Sequence, residues 1–228
     1  MKPTGERFVP GLYSKRMEAD HGERYKYTSK FVMGKNVLDI ACGSGVGSKI
    51  LKDAGAEYVD GVDNSKEAIE YAQENYSADG VDFILADADE YYPDKKYDVI
   101  VSFESIEHFQ FPERVLRNFY KLLKDDGRLI ISTVNRIITN PGLKANQKPE
   151  WDFHFREFDI PELSEELVKA GFTKQRLMGQ RHQLYFKNRY LRRLYLNIFK
   201  PNNRPNSEPQ DLKKWLQPRF VIIDAAKK

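Results

Sequence analysis

Two histidines in this chain stand in surroundings that suit proton transfer. His108 directly follows Glu107 in the run Ser105–Phe109, and His154 lies among aromatic residues in the run Phe153–Phe158. An imidazole titrates near neutral pH and can take a proton from a weak nucleophile such as an alcohol. We therefore take His108 as the first candidate for a general base, His154 as the second, and Glu107 as a carboxylate that could orient a histidine or bind a metal.

Plainer roles stay open for every histidine. His108 could cap or pack against the next helix, and the alternation around His154 could be a strand with phenylalanines on one face. We expect His21 in an N-terminal lid, and His182 in a structural or solvent-facing position. Since no local set of Asp or Asn ligands and no Cys/His zinc pattern is present, we expect no metal at the site.

A glycine-rich loop forms a second candidate site. The apolar run Val37–Ile40 contains Asp39, and glycine then occupies every second position from Gly43 to Gly47. Glycine lets backbone approach a ligand closely, because it has no Cβ and tolerates positive φ. The third glycine comes one residue too early for a dinucleotide fingerprint, and no Gly-Lys-Ser/Thr tripeptide of a P-loop follows. The loop indicates a nucleotide-type site of another kind, although a tight turn that binds nothing would also fit.

Two later acids strengthen the nucleotide interpretation. Asp63 closes the run Gly61–Asp63 about twenty residues past the loop, where an acid can bind ribose hydroxyls. Asp87 follows the run Val81–Ala86. Ligands of open α/β sheets bind outside the carboxyl ends of the strands, so these acids and Asp39 are expected along one sheet edge. Any single acid could instead cap a helix.

The motifs VLDIACGSGVG, GVDNS, LADAD and FESIEHF, in this order, resemble the class I S-adenosylmethionine-dependent methyltransferases. The resemblance implies that Asp39 and the backbone around Gly43 and Gly45 hold the methionyl part of the cofactor. It also implies that Asp63 accepts from the ribose hydroxyls and Asp87 from the adenine amino group. The cofactor-binding residues expected on this basis are Asp39, Ala41, Gly43, Ser44, Gly45, Asp63, Asn64, Asp87, Ala88, Phe103 and Glu104.

Two further resemblances concern the acceptor. Thr4–Pro10 resembles the opening of bacterial methyltransferases associated with surface-glycan and nucleotide-sugar pathways, and His21, Arg24 and Tyr25 echo a pattern that follows it there. Ile131–Arg136 is instead similar to the segment after a strand in quinone-pathway O-methyltransferases. A sugar hydroxyl and a phenol therefore both remain open as acceptors.

Strands that alternate with helices predict an α/β fold with a parallel sheet. The resemblance implies a Rossmann-like, doubly wound, mostly parallel sheet of seven strands with an antiparallel last strand. We expect a single domain over residues 1–228. Its parts are an N-terminal lid at 1–30, in which Arg7 would pair with the cofactor carboxylate, a cofactor-binding core at 36–134, a substrate loop at 134–158 and a basic helical insertion at 185–217 before the last strand.

The composition is that of a soluble globular protein, with 228 residues, 40% hydrophobic residues, 31% charged residues and a net charge of +3. No apolar run could span a bilayer or serve as a signal-peptide core, so we expect a cytoplasmic location. The single cysteine, Cys42, excludes an intrachain disulfide. From Lys187 to Arg204 the charged residues are all basic. This predicted amphipathic helix would have a solvated basic face and an apolar stripe packed on the core, or would bind an anionic substrate; contact with a membrane or nucleic acid comes third.

The sequence therefore predicts an S-adenosylmethionine-dependent methyltransferase that acts on a hydroxyl of a sugar, nucleotide-linked or in a glycan, with His108 as general base. One alternative is an O-methyltransferase of a phenol or quinone precursor, and another is an N-methyltransferase of an amino sugar or RNA. A non-catalytic binding protein would keep the same fold without the activity. We expect a small anionic acceptor rather than nucleic acid as partner, and homo-oligomerisation stays open.

Overall fold

The computed structural model describes residues 14–145, 147–199 and 207–227. The elements, in chain order, are α1 (Lys15–Thr28), β1 (Asn36–Ile40), α2 (Val46–Asp53), β2 (Tyr58–Asp63), α3 (Lys66–Tyr76), β3 (Val81–Leu85), β4 (Tyr97–Phe103), α4 (Pro112–Leu122), β5 (Leu123–Val134), α5 (Arg136–Thr139), α6 (Ile160–Ala170), β6 (Lys174–Gln180), α7 (Arg189–Phe199), β7 (Gln210–Asp211) and β8 (Phe220–Ala226). Short 3₁₀ turns cover Ser29–Phe31 and Ile106–His108. The predictions for Arg7, for Thr4–Pro10 and for the basic residues 200–204 lie outside the described residues.

All of these strands form one sheet in the order β3-β2-β1-β4-β5-β8-β6-β7. The strands β1 to β5 pair in parallel, and β8 lies antiparallel between β5 and β6. This confirms the predicted α/β, Rossmann-like sheet with an antiparallel last strand. The described residues contain eight strands rather than seven, because Gln210–Asp211 pairs with the outer edge of β6. A two-residue strand leaves no alternation in the sequence from which it could be predicted.

The core lies on both faces of the sheet. Leu38 and Ile40 of β1 belong to one buried cluster, together with side chains of α4 and α6. Val37 belongs to a second cluster, together with side chains of α1, α2 and α3. Successive residues of a strand point to opposite faces, so a strand buried on both sides is apolar at nearly every position. This packing fixes the carboxyl ends of β1, β2 and β4, where the candidate residues lie.

Buried polar contacts join helix α1 to β8 and to Arg181, the residue that follows β6. The Arg181 guanidinium donates through Nε to both carboxylate oxygens of Asp20, at 2.7 and 2.8 Å. The Tyr27 hydroxyl donates to Asp224 of β8 at 2.7 Å. Removing one partner of such a buried ion pair typically costs about 3–5 kcal/mol, because the other charge is left buried. These contacts hold α1 as one wall of the site.

Helix α7 lies between β6 and β8 in the chain and has an exposed apolar side. Its residues Tyr190, Leu191, Leu194 and Ile198 are all more than half exposed. Tyr195 alone among its described apolar residues is buried, and its hydroxyl accepts from the Leu184 amide at 3.2 Å. The predicted helix is therefore present, but most of its apolar stripe does not pack on the core. No helix in the described part of the chain is long and apolar enough to cross a membrane.

Candidate functional site

A cavity of about 300 Å³, here called the glycine-loop cavity, opens at the carboxyl ends of β1, β2 and β4. Its size is at the lower end of the range of small-molecule sites. Of the residues predicted to bind the cofactor, it is lined by Ala41, Gly43, Asp63, Asn64, Ala88, Phe103 and Glu104. The other predicted residues do not line it: Asp39, Ser44 and Gly45 are buried, and Asp87 is exposed.

Two residues of this cavity have a left-handed backbone conformation that is rare outside glycine. Ala41 follows β1 with φ +59°, and Glu104 follows β4 with φ +50°. Such conformations store free energy and persist where the surrounding structure imposes them, often at functional sites. Both turn the chain at a strand end, so that the next residues face the cavity.

Asp63, at the end of β2, is held by backbone amides. Its two carboxylate oxygens accept from the amides of Gly43 and Ser65, each at 2.9 Å. A carboxylate has about four acceptor sites, so two remain for hydroxyl donors of a ligand. Since the side chain is only 7% exposed, its position is fixed before any ligand binds.

The three glycines of the loop have different tasks. A Cβ at Gly43 would meet no atom within 4 Å, and this residue lines the cavity. A Cβ at Gly45 would lie 2.6 Å from the Ala72 Cβ, and one at Gly47 would lie 1.9 Å from the Tyr25 ring. Gly45 and Gly47 are therefore needed to pack the loop between helices, whereas Gly43 leaves open space for a ligand.

Asp39 lies under the loop rather than in the cavity wall. Its carboxylate accepts from the Ser48 hydroxyl at 2.7 Å and from the Tyr25 hydroxyl at 3.1 Å. Burial, with a smaller contribution from the charge of Asp63, raises the pKa of Asp39 to about 7 despite these bonds. Asp39 thus braces α1 and α2, and its contact with the cofactor stays a prediction.

Asn64 and Asp87 lie at the rim of the cavity. The Asn64 amide donates to the Asp87 carboxylate at 2.9 Å. Ala88, next in the chain, is buried and lines the cavity. Asn64 thus lines the cavity and holds the exposed Asp87 beside it, and the contact of Asp87 with the adenine stays a prediction.

A second cavity of about 610 Å³, here called the histidine cavity, adjoins the first. His21, Glu104 and His108 line both cavities and mark the junction. The remaining walls come from α1, from β8 and from residues 134–157, which join β5 to α6. The predicted substrate loop therefore does line a cavity beside the glycine loop.

Glu107, His108 and His154 come together at the wall of the histidine cavity. Each offers a ligand-type nitrogen or oxygen atom, and these atoms all lie within 4.8 Å of one another. The two imidazole rings are 4.8 Å apart between centroids, in an edge-to-face arrangement. The Thr133 hydroxyl donates to Glu107 at 2.8 Å. Burial, together with the charge of Glu104, raises the pKa of Glu107 to about 8.

Backbone and side-chain bonds bring residues 151–157 to the turn that carries Glu107. The amides of Phe155 and Arg156 donate to the Glu107 carbonyl, at 2.8 and 3.3 Å. Nδ1 of His108 donates to the Phe153 carbonyl at 3.0 Å, and Nδ1 of His154 donates to the Glu157 carboxylate at 2.8 Å. Each ring is thus held at Nδ1, which directs Nε2 away from that anchor.

Glu157 stays charged beside His154. Burial acts to raise its pKa, but hydrogen bonds from His154, Asn140 and Thr139 outweigh burial and hold the pKa below the ordinary value. The Thr139 hydroxyl and the Asn140 amide donate at 2.7 and 2.8 Å. The Glu157 carboxylate accepts the Nδ1–H of His154 and so orients that ring.

Three arginines of the histidine cavity had not been predicted as site residues. Arg24 is 1% exposed and contacts Glu104 and Ser132, each at 2.9 Å. Burial, followed by the charge of Arg16, lowers the pKa of Arg219. Arg24 stood in a pattern noted in the sequence, whereas Arg16 and Arg219 had no local signal because only the fold places them together.

The other histidines and the basic helix occupy different positions. Burial, with the charge of Arg24, holds the pKa of His21 well below its ordinary value, so this ring is neutral at the cavity junction. His182 lines neither cavity, and burial lowers its pKa as well. The described residues of α7 also line neither cavity.

Comparisons with known proteins identify the type of domain. A family model described as a methyltransferase domain matches residues 13–177. A Mycolicibacterium smegmatis protein named "probable S-adenosylmethionine-dependent methyltransferase" is 32% identical over 181 residues, which cover 78% of this chain and 68% of the relative.

A second relative has a more specific name but matches over a shorter segment. A ubiquinone biosynthesis O-methyltransferase of Coxiella burnetii is 34% identical over 124 residues, which cover 50% of each chain. Among solved structures, a Thermotoga maritima protein described as an S-adenosylmethionine-dependent methyltransferase and possible histamine N-methyltransferase superposes with a TM-score of 0.67 at 20% identity. That match covers 93% of this chain and 91% of the other.

Proposed function

This chain belongs to the S-adenosylmethionine-dependent methyltransferases, and from that membership we propose that it methylates a hydroxyl of a small, anionic sugar derivative in the histidine cavity. The sugar would be nucleotide-linked or part of a glycan. The observation that carries this proposal is the junction of the two cavities, where His108 lines both, with Glu107 and His154 beside it.

The glycine-loop cavity fits the cofactor. Open space at Gly43 lets a ligand approach the backbone, and Asp63 keeps acceptor capacity for ribose hydroxyls. Asn64 and Ala88 would border the adenine, and Phe103 would pack against the cofactor from the end of β4. S-adenosylmethionine, when bound, supplies an electrophilic methyl group on a sulfonium centre.

The chain's own residues must activate the acceptor. A neutral sugar hydroxyl is a poor nucleophile until its proton is removed. We assign that step first to His108, because it borders both cavities and its Nδ1–H bond to the Phe153 carbonyl selects the tautomer in which Nε2 accepts a proton. His154, oriented by Glu157, is the second candidate for the base.

The walls of the histidine cavity favour a polar, anionic acceptor. Arg16 and Arg219 both line this cavity, and the charge of Arg16 repels that of Arg219, an effect that Glu104 and Asp20 partly offset. The Arg219 Nε is buried without a hydrogen-bond partner among the described residues. A phosphate or carboxylate of the acceptor would relieve this repulsion and pair with the guanidinium groups. Carboxylates on the other walls can accept hydrogen bonds from sugar hydroxyls.

A phenol is the second candidate acceptor. The match to the ubiquinone biosynthesis O-methyltransferase supports it, as does Trp151, an aromatic ring at the edge of the histidine cavity. A phenol ionises more readily than a sugar hydroxyl, so it would depend less on His108.

A transfer assay with methyl-labelled S-adenosylmethionine tests the proposal. The full chain is offered nucleotide sugars, sugar phosphates, free sugars and catechols, and the label is located in the product. We expect labelled, charged sugars, with turnover lost in His108→Ala and retained in His182→Ala, which alters a histidine outside both cavities. Label in catechols alone would replace the sugar proposal with the phenol, and label on nitrogen would overturn O-methylation.

A further inference from the structure

The cluster of Glu107, His108 and His154 has the dimensions of a metal site. Ligand atoms about 2.1 Å from a common ion lie roughly 3 Å apart when adjacent and roughly 4.2 Å apart when opposite. The three ligand-type atoms here all lie within 4.8 Å of one another. Small rotations of exposed or half-buried histidine rings would close that difference without moving the backbone.

The surrounding residues orient these groups as metal ligands are usually oriented. Metal-binding histidines commonly donate their second ring N–H to a carboxylate or a backbone carbonyl. Here Nδ1 of His154 donates to Glu157 at 2.8 Å, and Nδ1 of His108 donates to the Phe153 carbonyl at 3.0 Å. The Thr133 hydroxyl fixes Glu107 in the same way. Each ligand therefore has an outer partner that sets its direction.

Local charge also favours a cation. Glu107 is 1% exposed and lies beside a second carboxylate, Glu104. Arg24 pairs with Glu104 at 2.9 Å. Glu107 instead accepts from its own backbone amide and from the Thr133 hydroxyl, and the opposite charge that acts on it is that of His154, a proposed ligand. A buried carboxylate is stabilised by a compensating positive charge, and a bound ion would supply one.

We propose that Glu107, His108 and His154 bind a divalent transition-metal ion at the junction of the two cavities. Two imidazoles and one carboxylate suit Mn²⁺, Fe²⁺, Co²⁺ or Zn²⁺ better than Mg²⁺ or Ca²⁺, which prefer oxygen ligands. Three protein ligands leave positions for an acceptor hydroxyl, whose pKa the ion would lower. This use rests on the proposed function: in place of His108 as base, the ion would lower the pKa of the hydroxyl, whose proton would pass to solvent water, and the oxygen would take the methyl group as S-adenosylhomocysteine leaves.

The sequence suggested Glu107 as a possible metal ligand but gave no set of Asp or Asn ligands near it, and we expected no metal. Glu107 and His108 are adjacent, but His154 comes from the far end of a long loop. The amides of Phe155 and Arg156, bonded to the Glu107 carbonyl, bring the loop to the turn. Only these long-range backbone bonds assemble the ligand set.

Binding of Mn²⁺ to the full chain, after treatment with a chelator, tests the proposal without any acceptor. Electron paramagnetic resonance of the free aqua ion should show about one bound Mn²⁺ per chain. We expect His154→Ala and Glu107→Gln to abolish saturable binding, and Glu157→Gln to weaken it about 10–100-fold, as loss of an outer partner does. His182→Ala should bind like the unaltered protein.

Two controls keep the outcome decisive. Binding of S-adenosylhomocysteine, measured by calorimetry, should persist in His154→Ala, because His154 does not line the glycine-loop cavity and the variant must be folded to bind. Equal Mn²⁺ binding in the unaltered protein and His154→Ala, or none in either, would overturn the metal site. Hydroxyl methylation by the metal-stripped protein at an unchanged rate would overturn the role of the ion in activating the hydroxyl but leave the proposed function intact. Saturable Mn²⁺ binding without methylation of any hydroxyl would leave the site intact and remove the proposed function.

Discussion

The two cavities are built by different means. In the glycine-loop cavity, Asp63 is fixed by the amides of Gly43 and Ser65, so backbone holds the polar group. In the histidine cavity, His154 is fixed by Glu157, which is fixed in turn by Thr139 and Asn140, so side chains hold side chains. Hydrogen bonds from backbone amides survive most substitutions of the donor residue. A hydrogen bond between side chains is lost when either residue is replaced by one that lacks the donor or the acceptor. On the proposed function, the glycine-loop cavity would thus bind the cofactor shared by the family, and the histidine cavity would set specificity for the acceptor.

The two cavities also differ in how they use a buried carboxylate. Asp39 and Glu107 are both about 1% exposed, and burial raises both pKa values, to about 7 and about 8. Asp39 sits under the glycine loop with two hydroxyl donors, and it braces structure. Glu107 lines the histidine cavity beside two histidines, where a ligand can reach it. Burial therefore raises the pKa of a carboxylate in both regions. Asp39 braces the packing of the loop, whereas Glu107 stands where it could take part in chemistry.

The largest expected effect is on turnover. His108→Ala should lower the rate of methyl transfer about 10²–10⁴-fold, whether the ring takes the proton itself or holds a cation. Affinity for S-adenosylhomocysteine should fall much less, because we expect backbone groups and Asp63 to bind that ligand in the glycine-loop cavity. Single-turnover kinetics and calorimetry measure the two effects. Equal losses in both would show that the cavities are not separable.

The next effect contrasts two glycines of one loop. Gly45→Ala should lower the free energy of unfolding by about 2–4 kcal/mol, because the new methyl group meets Ala72 and the backbone is left-handed. Gly43→Ala should lower the free energy of unfolding by only about 1 kcal/mol, from the left-handed backbone alone. Its new Cβ would have no atom within 4 Å. Urea unfolding compares the variants. We expect the opposite ranking for cofactor affinity, and a larger loss of affinity in Gly45→Ala would contradict the division of tasks.

A smaller effect is expected for the carboxylate at the end of β2. Asp63→Asn should weaken binding of S-adenosylhomocysteine about 10–100-fold, which corresponds to one charge-assisted hydrogen bond. Mn²⁺ binding to the histidine cavity should not change. Calorimetry with each ligand in turn provides the measurement. Weakened Mn²⁺ binding in this variant would show that a change in the glycine-loop cavity alters binding in the histidine cavity.

The smallest effect concerns pH. In the folded protein Asp39 keeps its proton up to about pH 7, whereas an unfolded chain loses it near pH 4. The folded state therefore binds more protons in this window, and its stability falls as pH rises, by at most about 1.4 kcal/mol per pH unit. Asp39→Asn removes the contribution of Asp39 to the pH dependence of the unfolding free energy. Unfolding free energies of the free protein at pH 5 and pH 8 should differ less in the variant, and an unchanged difference would show that Asp39 is ionised throughout.

Most of the cofactor side could be predicted from the sequence. Asp63, Gly43 and Ala88 line the cavity as expected, because each follows a strand and parallel strands end at one edge of the sheet. Gly45 belongs to the same motif, yet its role is packing against Ala72. Sequence spacing locates such a loop but does not tell which glycine meets a ligand and which meets a helix.

The sequence alone determined the sheet, the glycine loop and the cofactor class, because these depend on periodicity and on short spacings within strand–loop–helix units. Tertiary structure alone decided that Asp39 lies behind the loop, that Arg16 and Arg219 line one cavity, and that His154 joins Glu107 and His108. Those contacts join segments far apart in the chain, and their free energy comes from packing and hydrogen bonds that no local pattern records.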